Sequence, residues 1–225
     1  MLIKEPERIP TNTIKQKNTN NANKKTTISK KVTPTTILVS TIGFITMVTY
    51  FMVPSQLPFY AESLNIQSST AVGFLLALVG LVWGLTSTQY ARLRKMLSFE
   101  KIAMFALLSI SVGYILLFLS TNITIMVIAL ALVGAGVGTT LPNLNTWLIT
   151  TTSSEFKGRA LGSFFMGQFL SPVITRPITA SLGIPYGYLM GGLSLFILFV
   201  LCAVYERKKL RYDKTKQTKI KGSAV

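Results

Sequence analysis

Long stretches without charged residues alternate with short charged segments along most of this 225-residue chain. A helix needs about 20 mostly apolar residues to cross about 30 Å of membrane hydrocarbon. The longest uncharged stretch, 102–154, therefore holds two such helices, with Ser120, Thr121 and Asn122 as the turn between them. The pattern predicts an all-α integral membrane protein with six transmembrane helices, at about 35–60, 70–90, 102–120, 123–149, 160–181 and 186–205.

Positive charge is concentrated in alternate segments between these predicted helices. Of the 23 Lys and Arg residues, 22 lie in segments 1–34, 91–101, 150–159 and 206–225, whereas the other loops carry none. Cytoplasmic loops of membrane proteins carry an excess of Lys and Arg. We therefore expect both termini to be cytoplasmic, in a bacterial inner (plasma) membrane.

The two ends of the chain differ in composition from the middle. Residues 1–33 are rich in Asn, Thr and Lys with little to bury, and 206–225 are similarly basic. We expect a disordered cytoplasmic tail over 1–33, a transmembrane domain over 34–205 and a second disordered tail over 206–225. Because 1–33 has no aromatic residue on which a base could stack, we interpret the basic tails as topology signals that attract anionic lipids, and expect no nucleic-acid partner.

Composition excludes several classes of function. The net charge of +16 comes from 23 basic against 7 acidic residues, and the position of the basic residues is explained by the membrane topology described above. The chain has no His and one Cys, Cys202. Without His there is no Ser-His-Asp triad and no His-ligated zinc, and a single Cys excludes cysteine-cluster metal sites. We therefore expect a protein that is not an enzyme and that has no metal or cofactor.

Polar side chains recur at helical spacing in three of the predicted helices, as is typical of helices that line a cavity. The fifth helix has such a face from Gln168 to Thr179, and the fourth has one from Thr139 to Thr150. A hydrogen bond between helices is as good an explanation for each residue as contact with a substrate. Our candidates for substrate binding are Tyr50, Gln56, Thr139, Asn143, Gln168 and Arg176.

Arg176 is the only charged residue inside a predicted span. It follows Arg159 by 17 residues, or about 25 Å of helix, and so lies near the outer interface. One interpretation is that its side chain extends to the lipid headgroups. The other is an anion contact at the cavity edge, or a gate with Glu62. Further gating candidates are Arg92, Arg94, Glu155 and Arg159, the last two of which also suit an ion-pair and capping cluster.

Small residues and prolines add a second pattern. The second helix has a stripe of small residues on one face, and Gly134 and Gly138 form a GxxxG spacing in the fourth; both favour close helix packing, with a sliding surface as the alternative. Pro54 and Pro142 each lie 19 residues after their predicted helix starts. Because those two helices run in opposite directions, we predict a 3+3 inverted repeat. The stripe consists of Gly73, Ala77, Gly80, Gly84 and Thr88.

Three segments resemble the C-terminal half of a major facilitator superfamily (MFS) transporter. Residues 84–101, GLTSTQYARLRKMLSFEK, are similar to the family's basic signature loop, without its Asp and its later Gly. Residues 54–64 resemble the outer end of the seventh helix. Residues 155–172, EFKGRALGSFFMGQFLSP, resemble the start of the eleventh. The resemblance covers about 34–210.

The resemblance implies one half of a twelve-helix secondary transporter, with its first, second, fourth and fifth helices facing the substrate. It implies transport of a small organic solute, for which drug or metabolite efflux is one candidate. The expected partners are the lipid bilayer, the solute, and either the missing N-terminal six-helix half or a second copy of this chain. Two alternatives are a truncated, transport-inactive fragment and a self-associating six-span scaffold.

Overall fold

The computed structural model describes residues 34–222. The proposed 1–33 tail lies outside this range. Within it the chain folds into six α-helices. They are α1 (Pro34–Ser63), α2 (Ser69–Met96), α3 (Phe99–Phe118), α4 (Ile123–Thr151), α5 (Ser154–Leu182) and α6 (Ile184–Gly222).

Three helices begin where a polar side chain caps the first turn. The side-chain oxygens of Ser68, Ser98 and Asn122 accept hydrogen bonds from the backbone N–H three residues later. Such caps satisfy one of the amide donors that a helix start leaves unpaired. At the other end of α5, Gly183 has φ +93°, a backbone conformation that favours glycine, and it allows α6 to begin at once.

Four helices form one layer in the order α2, α4, α1, α5, and two helices lie behind it. In the front layer α2 packs closely against α4, α5 packs closely against α1, and α1 touches α4. Behind them α3 packs closely against both α4 and α6. Among the described helices, the prolines that lie beyond a first turn all belong to the front layer: Pro54 and Pro58 in α1, Pro142 in α4, and Pro172 and Pro177 in α5. Pro185 lies in the first turn of α6. The layer thus consists of the four helices that the family resemblance places toward a substrate.

A cluster of buried tyrosines joins α1, α3 and α6. The Tyr188 ring lies edge-on to the rings of Tyr60 and Tyr114, with centroids 5.3 and 5.7 Å apart. The Tyr60 hydroxyl lies 2.7 Å from the carbonyl oxygen of Leu117, and the Tyr114 hydroxyl donates to the carbonyl of Thr49. These bonds stabilise the buried hydroxyls of Tyr60 and Tyr114, because an unpaired polar group in a membrane is costly. The Tyr188 hydroxyl has no hydrogen-bond partner among the described residues.

Five of the six helices are long and apolar enough to cross a membrane: α1, α2, α3, α4 and the 184–208 part of α6. The exception is α5, which has 29 residues but carries Gln168, Ser171, Thr175 and Arg176. The predicted all-α membrane fold with six helices is confirmed. One expectation differs: α6 continues to Gly222, so 206–222 is helical and not unstructured.

Candidate functional site

The contact between α2 and α4 depends on two glycines of α4. A Cβ atom at Gly134 would lie 2.8 Å from the carbonyl oxygen of Val79, and one at Gly138 would lie 2.6 Å from that of Trp83. Both distances are shorter than real Cβ contacts, so only glycine permits this approach. The predicted role of the GxxxG spacing in helix packing is confirmed.

Pro142 explains a further bond at this contact. Since proline has no N–H, it leaves the carbonyl four residues earlier, that of Gly138, without its helical donor. The Ser87 hydroxyl of α2 donates to this carbonyl oxygen over 2.8 Å. Polarity and spacing in the sequence do not indicate Ser87 as the donor, whereas the position of Pro142 indicates which carbonyl accepts.

The small-residue stripe of α2 is exposed, on the side away from α4. Only Leu75 and Val79 of α2 are buried. A Cβ at Gly73, Gly80 or Gly84 would meet no atom within 4 Å. The stripe therefore packs against nothing in the described part of the chain, although its composition suits close helix packing in lipid.

Two of the predicted substrate-binding residues of α1 join it to its neighbours. The Tyr50 ring lies edge-on to Trp83 of α2 at 5.7 Å. The Gln56 amide nitrogen donates to the Thr179 hydroxyl of α5 over 3.2 Å, in a buried position. Ser171 of α5 also donates to α1, to the carbonyl oxygen of Val48. Part of the polar face of α5 is therefore used in packing.

The α4 candidates lie in the interior. The Asn143 amide nitrogen donates to the carbonyl oxygen of Phe99 over 2.9 Å, which ties α4 to the start of α3. The Asn143 side-chain oxygen is buried and has no hydrogen-bond partner among the described residues. The Thr139 hydroxyl donates to the carbonyl of Gly136 in its own helix. A buried amide oxygen without a partner can accept a bond from a water or a solute.

Gln168 and Arg176 lie on less covered parts of α5: Gln168 is half-buried and Arg176 is exposed. Glu62, at the end of α1, is also exposed and lines an open cleft of about 570 Å³ together with Gln67. In the part of the chain that the structure describes, neither Arg176 nor Glu62 has an ion-pair partner. The structure therefore does not pair these two residues with each other.

At the opposite end, aromatic contacts join the basic last turn of α2 to the first turn of α3. The Arg94 guanidinium lies 3.7 Å from the centroid of the Phe99 ring and donates to the carbonyl oxygen of Leu97. The Phe99 ring in turn is parallel to that of Trp147 in α4, 6.0 Å away. Cations are attracted to the face of an aromatic ring. The charge pattern of the sequence indicates Arg94 but not its aromatic neighbours Phe99 and Trp147.

The remaining gating candidates are exposed. The Arg92 side chain donates only to Gln89 on its own helix, over 3.3 Å. Glu155 and Arg159 lie in the first turns of α5 with exposed side chains. The side chain of Ser153, before α5, makes no capping bond.

Two comparisons with known proteins agree with this architecture. Residues 39–224 match the model of the Major Facilitator Superfamily. Similar solved structures include a mutant of the peptide transporter POT in complex with sulfate, with a TM-score of 0.66, and the same mutant in complex with alafosfalin, with 0.65. Each is 15% identical to this chain and covers 77% of it, whereas this chain spans 38% of POT. The likeness to POT shows the fold. Because the family model matches most of the length of this chain, the chain belongs to the Major Facilitator Superfamily.

Proposed function

We propose that this chain is the C-terminal six-helix half of a secondary transporter that moves a small organic solute across a membrane. The supporting observation is the front layer, in which α2, α4, α1 and α5 lie side by side. Three of these helices, α1, α4 and α5, contain every proline that lies beyond the first turn of a described helix. Hydrophobic segments that contain proline or glycine in their interior are a sequence indicator of the substrate site in transporters.

The solute would contact the polar positions of this layer. Tyr50 with its neighbour Trp83 offers an aromatic surface, and the unpartnered side-chain oxygen of Asn143 offers an acceptor. Gln168 is half-buried, and Arg176 is an exposed cation that forms no ion pair within residues 34–222 as described, which suits a solute with an anionic group. Gln56 and Thr139 would respond to the solute through the helix contacts they make.

Gating would occur at the two ends of the layer. Glu62 at the end of α1 would act at one mouth of the path. Arg92 and Arg94, near the end of α2, together with Glu155 and Arg159 at the start of α5, would act at the other. By the distribution of basic residues this second end is cytoplasmic, as are both termini, in a bacterial inner membrane.

The layer needs an opposing wall to enclose a solute. The exposed stripe of α2 offers a surface for the missing N-terminal half, or for a second copy of this chain. A C-terminal tag at the natural gene locus distinguishes these partners: a product near 24.7 kDa indicates an independent half-protein, and one near twice that mass indicates a twelve-helix protein.

Transport is tested in the native cells with the locus intact, deleted, or carrying Arg176→Gln. Accumulation of a panel of labelled dipeptides, organic anions and organic cations is followed over time. We expect deletion to change accumulation of at least one solute class, and Arg176→Gln to reproduce that change for an anionic solute. Ser181→Ala, at an exposed position near the same end of α5, is the control and leaves accumulation unchanged. Accumulation that is identical in intact and deleted cells would contradict the proposal.

A further inference from the structure

A cavity of about 290 Å³ lies between α1, α5 and α6, at a place that the proposed transport path does not use. Seven of its twelve lining residues have apolar side chains, two are glycines, three carry a hydroxyl, and none is charged. The apolar ones include Met52 of α1, Ile178 of α5 and Met190 of α6.

The three hydroxyls of the cavity donate to their own helices. Thr49, Thr175 and Ser194 each lie 2.8 Å from a backbone carbonyl oxygen three or four residues earlier. Each hydroxyl has a single proton, so the cavity offers no free hydroxyl donor. A ligand that accepts hydrogen bonds would lose its bonds to water without replacement from these hydroxyls, whereas a hydrocarbon chain has none to lose.

The cavity marks a difference between the two halves of the inverted repeat. Under this repeat α6 corresponds to α3, and α1 to α4. Along the α3–α4 contact, a Cβ at Gly113 or Gly136 would lie 2.7 Å from a backbone carbonyl oxygen of the other helix. In contrast, α6 touches α1 at fewer points, around Gly187 and Gly191. An unfilled gap forfeits the dispersion contacts that close packing supplies.

The position of the cavity suits a lipid. Its α6 lining runs from Gly187 to Ser194, which is roughly 5 to 15 Å from the helix start at Ile184 at 1.5 Å per residue. This depth corresponds to one leaflet of a hydrocarbon core about 30 Å thick. Ile174 and Met190 are 40% and 47% exposed at its mouth, so the cavity opens on the side of the transmembrane domain.

We propose that this cavity binds one acyl chain of a membrane phospholipid, which enters sideways between α5 and α6. The cavity is at the small end of the volumes that ligand pockets have, about 300–1,000 Å³, and suits one chain without its headgroup. The proposal depends on the membrane fold and is independent of which solute the protein transports.

The test uses the full 225-residue chain in lipid nanodiscs that contain a phospholipid with a photoreactive diazirine in the middle of one acyl chain. After illumination, the labelled residues are identified by mass spectrometry. Met52 is only 2% exposed, whereas Phe105 and Ile197 are 64% and 60% exposed. We expect labelling of Met52 to equal or exceed that of Phe105 and Ile197, because a bound chain reaches Met52 inside the cavity. Labelling of Met52 several-fold below theirs, as its exposure alone would give, overturns the proposal.

Filling the cavity provides a second measurement. Ser194→Phe places a ring in it and is expected to reduce labelling of Met52 several-fold while leaving Phe105 unchanged. The matched control is Ser163→Phe, because the Ser163 hydroxyl also donates to the carbonyl three residues earlier and the residue lies outside the cavity. Circular dichroism verifies that both variants are folded. If Ser194→Phe is folded and its Met52 labelling is unchanged, the proposal is overturned. If Ser194→Phe does not fold, the comparison of Met52 with Phe105 and Ile197 in the unmodified chain still tests the proposal.

Discussion

The Ser87 hydroxyl of α2 donates to the backbone carbonyl oxygen of Gly138 in α4 over 2.8 Å. That carbonyl is the one that Pro142 leaves without a helical donor. The absence of a side chain at Gly138 brings α2 close enough for the bond, and the proline four residues later creates the need for it. Gly138 thus permits the close contact between α2 and α4, and Pro142 frees the carbonyl group that Ser87 binds.

Replacing Ser87 tests this relationship. We expect Ser87→Ala to lower the free energy of unfolding by about 0.6 kcal/mol, and by at most about 1.7, because interhelical hydrogen bonds in membranes have these values. In a Pro142→Ala background, residue 142 regains an N–H that can donate to the Gly138 carbonyl. The same Ser87→Ala change should then cost less. Unfolding of all four proteins in detergent, followed by circular dichroism, gives the coupling between the two sites.

The control for this cycle is Thr88→Ala. The Thr88 hydroxyl is exposed and donates within its own helix, to the carbonyl of Leu85. Its removal should have the same small effect with and without Pro142. Equal costs of Ser87→Ala in both backgrounds would mean that the proline does not create the need for the bond.

The sequence predicted the helices well because charge and hydrophobicity directly determine which segments can cross a membrane. For α4, the predicted 123–149 agrees with the observed Ile123–Thr151. The end of α6 was not predicted, since a charged helix that continues beyond the membrane has no distinct apolar pattern. Residues 206–222 have the composition of a tail and nevertheless continue the helix.

The two kinds of glycine should respond in opposite ways to the same substitution. Gly138→Ala places a methyl group 2.6 Å from the Trp83 carbonyl oxygen, so we expect a loss of about 1–3 kcal/mol in the free energy of unfolding. Gly80→Ala meets no atom within 4 Å and increases helix propensity by roughly 1 kcal/mol, so stability should be unchanged or higher. The same unfolding experiment measures both variants. A destabilising effect of Gly80→Ala on the isolated chain would show that α2 packs differently.

The contact between Arg94 and Phe99 can be measured by a double-mutant cycle. We expect Arg94→Gln and Phe99→Leu to be coupled by about 0.5–1 kcal/mol, since the guanidinium lies over the ring at 3.7 Å. Arg92→Gln is the matched control, because Arg92 is exposed and its side chain reaches only Gln89. If Arg92→Gln and Phe99→Leu are coupled as strongly as Arg94→Gln and Phe99→Leu, the coupling reflects the overall positive charge at the end of α2 and not the contact between Arg94 and the Phe99 ring.

Polarity and spacing identified the candidate site less completely than the fold. Gln56 and Asn143 were selected because they are polar residues in apolar helices, and the structure gives both an interhelical hydrogen bond. A sequence pattern defines the face of a helix but not the neighbour that covers it. The same ambiguity applies to the stripe of α2, whose small residues suit close packing but whose glycines meet no neighbouring atom within 4 Å in the described part of the chain.

Association should depend on this stripe. We expect Gly80→Leu to reduce copurification of the tagged chain with its partner, whether that partner is an untagged second copy or the N-terminal half, because a leucine in the stripe prevents close approach of a facing helix. Unfolding of the isolated chain should change little, since Gly80 faces open space. Gly158→Leu, at a glycine of α5 that also has no atom within 4 Å, controls for the added leucine and should leave copurification intact. If both variants copurify with the partner as well as the unmodified chain does, the stripe is excluded as the contact surface. The opposing wall must then contact this chain elsewhere.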